Sequence, residues 1–291
     1  MKILVIGHSI IDKLKKGDSI KISPGGIYYT LLGLLSVKKV NDEISLVTGY
    51  NKSSFHLFEN LFRRTNLNYA NEIESLPEVL LEVPDDGERK ETYLNLSGEL
   101  DISKIENWNY FDGILINMIT GFDISLNKLK TIRNNFSGTI YFDLHTLSRG
   151  VDENLMREFR QIPNVNEWIS NIDILQCNES ELKTIAQKSD EKEIINFIFE
   201  CGLKYLIITR GNKGAEIFYK KNMQIESIRK AAGDVYVVNK IGCGDIFGAV
   251  FFYNYLCFND IEISLEKALR AADKAVSSIN IADNINLFLY D

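Results

Sequence analysis

Residues 242–245, Gly-Cys-Gly-Asp, stand directly before the apolar run IFGAVFFYNYL. Small residues in series let successive backbone amides point at one anion, and a helix starting there adds the positive end of its dipole. Gly242, Cys243 and Gly244 therefore suit a phosphoryl group, and Asp245 suits a base that takes a proton from an attacking hydroxyl. An acidic residue in a first helical turn is also an ordinary dipole partner, worth about 0.3–1 kcal/mol. A general base contributes about 10²- to 10⁴-fold in rate. The two readings predict different variants.

Other residues have comparable promise. Asp12 follows the first apolar run, and Gly25-Gly26 precede IYYTLLGLLSV; a carboxylate beside paired glycines can accept hydrogen bonds from a polyol while backbone approaches closely. Asn178 and Glu181 have the spacing of a capping box, and the same oxygens suit a hydrated magnesium ion held through water. Thr209, Gly211 and Gly214 form a turn that can pass beneath a nucleotide, or a plain hairpin. Neither GxxxxGK[ST] nor a GxGxxG after the first strand is present, which excludes those two phosphate grips. YFDLHTLSRG places Asp143, His145 and Arg149 at another strand end; for Asp143 or Arg149 a site role and a loop salt bridge are equal alternatives, and no catalytic histidine is assigned.

The elements that must position these residues alternate along the chain. KILVIG, EISLVTG, GILINM, TIYFDL, IDILQC and YLIITRG read as strands, each followed by punctuation and amphipathic sequence. That rhythm predicts an α/β fold with a mostly parallel central sheet covered on both faces. Helices are expected over SSFHLFENLFRRT, ESELKTIAQ and the alanine-rich SLEKALRAADKAVSSI. Residues 10–24, and a hairpin within 66–98 reversing at Pro84-Asp85-Asp86-Gly87, read as a small accessory sheet in a single domain spanning 1–291.

Composition narrows the class. The 291 residues carry 40 acidic against 33 basic side chains, a net charge of -7, which argues against a nucleic-acid partner. No apolar run is long enough to span a bilayer, the amino terminus lacks a secretory cleavage pattern, and Cys177, Cys201, Cys243 and Cys257 form no CxxC pair. A cytoplasmic protein with free thiols is expected, without a membrane partner.

In order, Gly7 and Asp12, Gly25-Gly26, the out-of-sheet hairpin, Asn178 to Glu181, Thr209 to Gly214 and Gly242 to Asp245 resemble the ribokinase-like (PfkB) carbohydrate kinase family over almost the whole chain. The resemblance implies a three-layer fold with a small β-lid over the sugar. It implies an ATP- and Mg2+-dependent phosphotransferase acting on a hydroxyl of a sugar, sugar derivative or nucleoside, with Asp245 as base and Gly242–Gly244 as anion hole. Asp12, Gly25 and Gly26 would bind the acceptor; Thr209, Gly211 and Gly214 would line the nucleotide site; Asn178 and Glu181 would serve the metal.

Two departures matter. The family's Asp-Thr pair stands here as Asn239-Lys240, which weakens the case for a monovalent-cation site and makes Lys240 a candidate positive charge at the nucleotide phosphates. The diglycine-helix asparagine that meets the sugar stands here as Thr30, which would join the acceptor-binding residues in its place. Cys243 replaces a usual alanine, and its place at a helix amino terminus predicts a lowered thiol pKa. The altered pair also motivates a rival reading, a catalytically silent nucleotide or sugar sensor. An exposed lid edge offers a route to a homodimer. The acceptor itself is not encoded in these motifs.

Overall fold

The computed structural model describes residues 1–82, 90–188 and 190–278. The amino-terminal part runs β1 (Lys2–Ile6), β2 (Ser9–Lys16), β3 (Ser19–Gly26), α1 (Ile27–Val37), β4 (Glu43–Val47), β5 (Gly49–Tyr50), α2 (Glu59–Phe62), β6 (Asn71–Glu72), β7 (Glu78–Glu82) and β8 (Lys90–Asn95). The middle follows with β9 (Gly113–Asn117), α3 (Leu126–Asn135), β10 (Thr139–Asp143), β11 (Arg149–Val151), β12 (Arg157–Phe159) and α4 (Val165–Ser170). Last come β13 (Ile174–Asn178), α5 (Glu179–Leu182), α6 (Glu191–Glu200), β14 (Tyr205–Thr209), β15 (Ala215–Lys221), β16 (Gln224–Lys230), α7 (Cys243–Phe258) and α8 (Ile261–Val276).

All six expected strands join one eight-stranded sheet, ordered β16-β15-β14-β13-β10-β9-β1-β4. Pairing is parallel from β4 through β14 and antiparallel at β15 and β16. Because side chains alternate along a strand, Ile3 and Val5 of β1 face a core shared with α1, α7 and α8, while Leu4 and Ile6 face another shared with α3, α4 and α6. Both faces are covered, as an apolar parallel sheet requires. This is a three-layer α/β architecture.

A second sheet, ordered β3-β2-β7-β8, stands beside the first. It contains the expected strands near residues 10–24, extended to include Gly25 and Gly26. Residues 66–77 do not join it: Asn66 bridges to Ser45, and Asn71–Glu72 pairs with Gly49–Tyr50. The expected reversal at Pro84–Gly87 lies outside the described residues. Gly7 and His8 alone separate β1 from β2, and His8 is tied by Nδ1 to Asp123 at 2.8 Å and by Nε2 to the Gly98 carbonyl at 3.1 Å.

Two helix expectations need correction. SSFHLFENLFRRT yields a 3-10 turn at Phe55–Leu57 and the four-residue α2, with no side-chain cap at either start. Phe55, Phe58 and Phe62 cluster together there, so tertiary packing and not helix propensity sets the path. ESELKTIAQ is helical over Glu179–Leu182 and then turns, with Thr184 Oγ1 donating to the Glu181 carbonyl at 2.7 Å. The alanine-rich helix forms as expected and begins at Asp260, whose carboxylate accepts from Glu262 and Ile263 amides.

Candidate active site

The carboxyl ends of the parallel strands converge on a cavity of about 260 Å³, where an open α/β sheet ordinarily carries its site. Register assembles its floor: Asn117, Asp143 and Gln176 are neighbours across β9, β10 and β13, and Asn178 lies opposite Thr209 across β13 and β14. The second sheet brings Asp12 and Glu91, the loop before α7 brings Lys240 and Gly242, and the first turn of α7 brings Gly244 and Asp245.

Gly242 is held in the left-handed region at φ 76°, and a Cβ there would strike the Tyr29 ring at 2.1 Å. Glycine is required on both counts. At Gly244, by contrast, a Cβ would meet only Gln176 Nε2, at 3.9 Å. Protein atoms leave that side open toward the cavity, which fits an incoming anion. Asp245 follows in the first turn of α7, whose remaining body buries Ile246, Phe247, Val250, Phe251 and Phe252. Each such side chain contributes roughly 1.5–3 kcal/mol of burial, so the loop is anchored by the core.

Asn117 Nδ2 donates to Asp245 Oδ1 at 2.6 Å and to Thr30 Oγ1 at 3.0 Å. Gln176 Nε2 donates to Asp143 Oδ2 and to the Gly244 carbonyl, both at 3.1 Å, while its Oε1 accepts from the Tyr141 hydroxyl. Burial, then the nearby charges of Asp245 and Glu181, push the Asp143 carboxyl well above its usual range. Burial also raises Glu181, to about 7, with Asp245 adding to the rise and Arg149 opposing it. Carboxylates that penalise one another's charge around one cavity match the donor chemistry of a hydrated divalent cation.

Asn178 and Glu181 form the capping box: Asn178 Oδ1 accepts from the Ser180 and Glu181 amides, and Glu181 Oε2 accepts from the Asn178 amide, all at 2.9 Å. Both residues also line the cavity. Among the described residues no group of His, Cys, Asp and Glu has the geometry of a direct metal cage.

At the opposite end Gly25 lets the chain press against Asp12, whose carboxylate a Cβ would meet at 2.3 Å. Glu91 of β8 is paired with Arg157 and, at 3.3 Å, with Arg149. Arg157 further donates to the Tyr93 hydroxyl at 2.5 Å. The β11–β12 hairpin carries both arginines and docks on β8 through the Tyr93 amide and Leu155 carbonyl.

Of the residues singled out from sequence, Asp12, Gly26, Asp143, His145, Arg149, Asn178, Glu181, Thr209, Lys240, Gly242, Gly244 and Asp245 line this cavity. Thr30 lies buried beneath it, Gly25 behind Asp12, and Gly211 and Gly214 do not border it. Gly214 instead packs on the Lys230 carbonyl. The expected lowering of the Cys243 thiol is overturned: burial, with Asp245 beside it, pushes it up to about 12, outweighing the helix terminus. Sequence reasoning missed Asn117, Gln176, Glu91 and Arg157. Asn117 and Gln176 sit at or near strand ends, a position that signals a site in this architecture.

A family model described as "pfkB family carbohydrate kinase" matches residues 144–286. No curated protein sequence matches the chain. Solved structures similar to it include an Arabidopsis thaliana ribokinase complexed with ribose and ATP, at TM-score 0.76 and 16% identity over 100% of this chain and 98% of that one. A pyrophosphate-dependent kinase in the ribokinase family, complexed with a pyrophosphate analog and myo-inositol, gives 0.76 and 14% over 97% and 98%. Aminoimidazole riboside kinase from Salmonella enterica, with aminoimidazole riboside and an ATP analog, gives 0.74 and 16% over 99% and 100%. At such identities the structural likeness speaks for the fold. That likeness extends a ribokinase-like fold over the whole chain, and residues 144–286 are similar to the pfkB family of carbohydrate kinases.

Proposed function

We propose that the protein transfers the γ-phosphoryl group of ATP to a hydroxyl of a sugar, sugar derivative or nucleoside. The observation that carries this reading is Asp245, placed in the first turn of α7 beside the open side of Gly244 and facing the same cavity as Asp12. The acceptor would bind against Asp12 under the β3-β2-β7-β8 sheet, acting as a lid that excludes water. Asp245 takes the hydroxyl proton, the oxygen attacks phosphorus, and the bond to the bridging oxygen breaks with ADP as leaving group. Amides at 242–244 stabilise the charge on the transferred group. Glu181 and Asp143, with Asn178, would hold Mg2+ through water, and the ion when bound would neutralise phosphate charge.

Incubation with magnesium-ATP, and separately with pyrophosphate, against a panel of sugars, polyols and nucleosides tests the reading by release of ADP or phosphate. Asp245→Asn is expected to lose at least about 10²-fold in turnover while its melting temperature stays within a few degrees of the parent. A variant that keeps its rate returns Asp245 to a helix-dipole role. Binding without turnover across the panel would make the protein a sensor.

Lys240 is exposed at the cavity rim. We assign it part of the charge that a monovalent cation would supply, so Lys240→Ala should slow turnover and become more responsive to potassium. Unchanged rate together with unchanged potassium response sinks that assignment.

A further inference from the structure

Behind Asp245, at the carboxyl end of β9, Asn117 is 1% exposed and does not border the cavity. One end of its amide serves two acceptors, Asp245 Oδ1 and Thr30 Oγ1. The other end, Oδ1, is buried without a hydrogen-bond partner among the described residues. Leaving a buried acceptor without a donor is costly. Turned over, the same amide would offer Oδ1 to the Thr30 hydroxyl, which can donate, but it would also press a carbonyl against the Asp245 carboxylate. The observed orientation therefore answers to the charge on Asp245 and not to local satisfaction.

We propose that Asn117 is a positioning residue for the base: its amide fixes one carboxylate oxygen of Asp245, favours the ionised group, and turns the second oxygen toward the acceptor hydroxyl. This inference rests on Asp245 being that base. An amide donor has work to do here, because Asp143, Glu181, Tyr141 and Cys243 all feel the Asp245 charge as unfavourable. The cations bordering the same cavity are Lys240, Arg149 and Arg157, and the latter two are engaged with Glu91.

Asn117→Leu removes the donor at similar volume, and Thr30→Val alters the other contact while leaving the Asp245 bond in place. For Asn117→Leu, kcat should fall at least about tenfold with the acceptor KM within about threefold. The acid limb of the rate profile should move to higher pH, since a hydrogen bond to the charged form has been lost. Thr30→Val should leave that limb unmoved. Should Asn117→Leu fail to fold, Asn117→Ala carries the same expectation. A readout independent of turnover is the carbon-13 titration of the Asp245 carboxyl, assigned by its absence in Asp245→Asn. An upward-shifted titration supports the proposal, and an unshifted one overturns it whatever the rates. Failure of the base assignment shows separately, as an Asp245→Asn variant that turns over like the parent.

Discussion

Cys243 and Glu181 show how burial decides side-chain chemistry at this site. A thiol at a helix amino terminus would ordinarily be reactive, yet Cys243 is half-buried and beside Asp245, and its pKa rises to about 12. Iodoacetamide should therefore label it slowly at pH 8 and faster up to pH 10 without a plateau, as followed by mass spectrometry of the peptide carrying it; saturation near pH 7 would show a lowered pKa. Asp12, Asp245 and the 242–244 loop were legible in sequence because glycine spacing and chain order mark them. Asn117, Gln176, Glu91 and Arg157 were not, because nothing local distinguishes them. Asn117, Asp143 and Gln176 lie far apart in sequence and become neighbours only through the register of β9, β10 and β13. Arg157 and Glu91 meet 66 residues apart.

At the level of elements, strands repeated at regular spacing were readable, whereas elements held by distant partners were not. β11 and β12 have three residues each and no alternation to betray them; they exist as a platform against β8. That docking centres on a buried charge pair, with Arg157 and Glu91 both 5% exposed. Arg157→Met should leave Glu91 buried with poor compensation and cost about 3–5 kcal/mol. Adding Glu91→Gln should restore part of the loss, since the undercompensated charge, still paired with Arg149 at 3.3 Å, goes with it. Chemical denaturation checks both, and amide exchange should show faster opening of β7 and β8 in the single variant. A double variant no more stable than the single one would mean that the packing of Arg157 over the Tyr93 ring, at 4.4 Å, matters more than the charge.

Over the whole molecule, buried and half-buried carboxyls set an unusual pH response. Asp42, Glu43 and Asp123 are held below their ordinary range, so their contribution is in place above about pH 4–5 and is lost as pH falls. Glu181 and Asp143 are shifted the other way, so the unfolded chain binds fewer protons than the folded one above about pH 4.5. Stability should decline as pH rises toward 7, by on the order of 3 kcal/mol from Glu181. Thermal unfolding of the ligand-free protein should accordingly peak near pH 5, and Glu181→Gln should flatten the fall between pH 5 and 8; an equal slope in that variant would acquit Glu181. Among the described residues no helix is long and apolar enough to cross a membrane. The three-layer architecture itself was plain from strand and helix alternation, since a doubly covered sheet imprints apolar runs on the chain. The partition of the site between α7 and the second sheet bears on inheritance. Asp245 rides on a helix whose body is core, so substitutions near it are filtered first by whether the chain folds. Asp12 and Glu91 ride on a sheet joined to the rest by the Gly7-His8 link, the passage from β3 into α1 and the arginine hairpin, so lineages can exchange residues on that side of the cavity while Asp245 stays where it is.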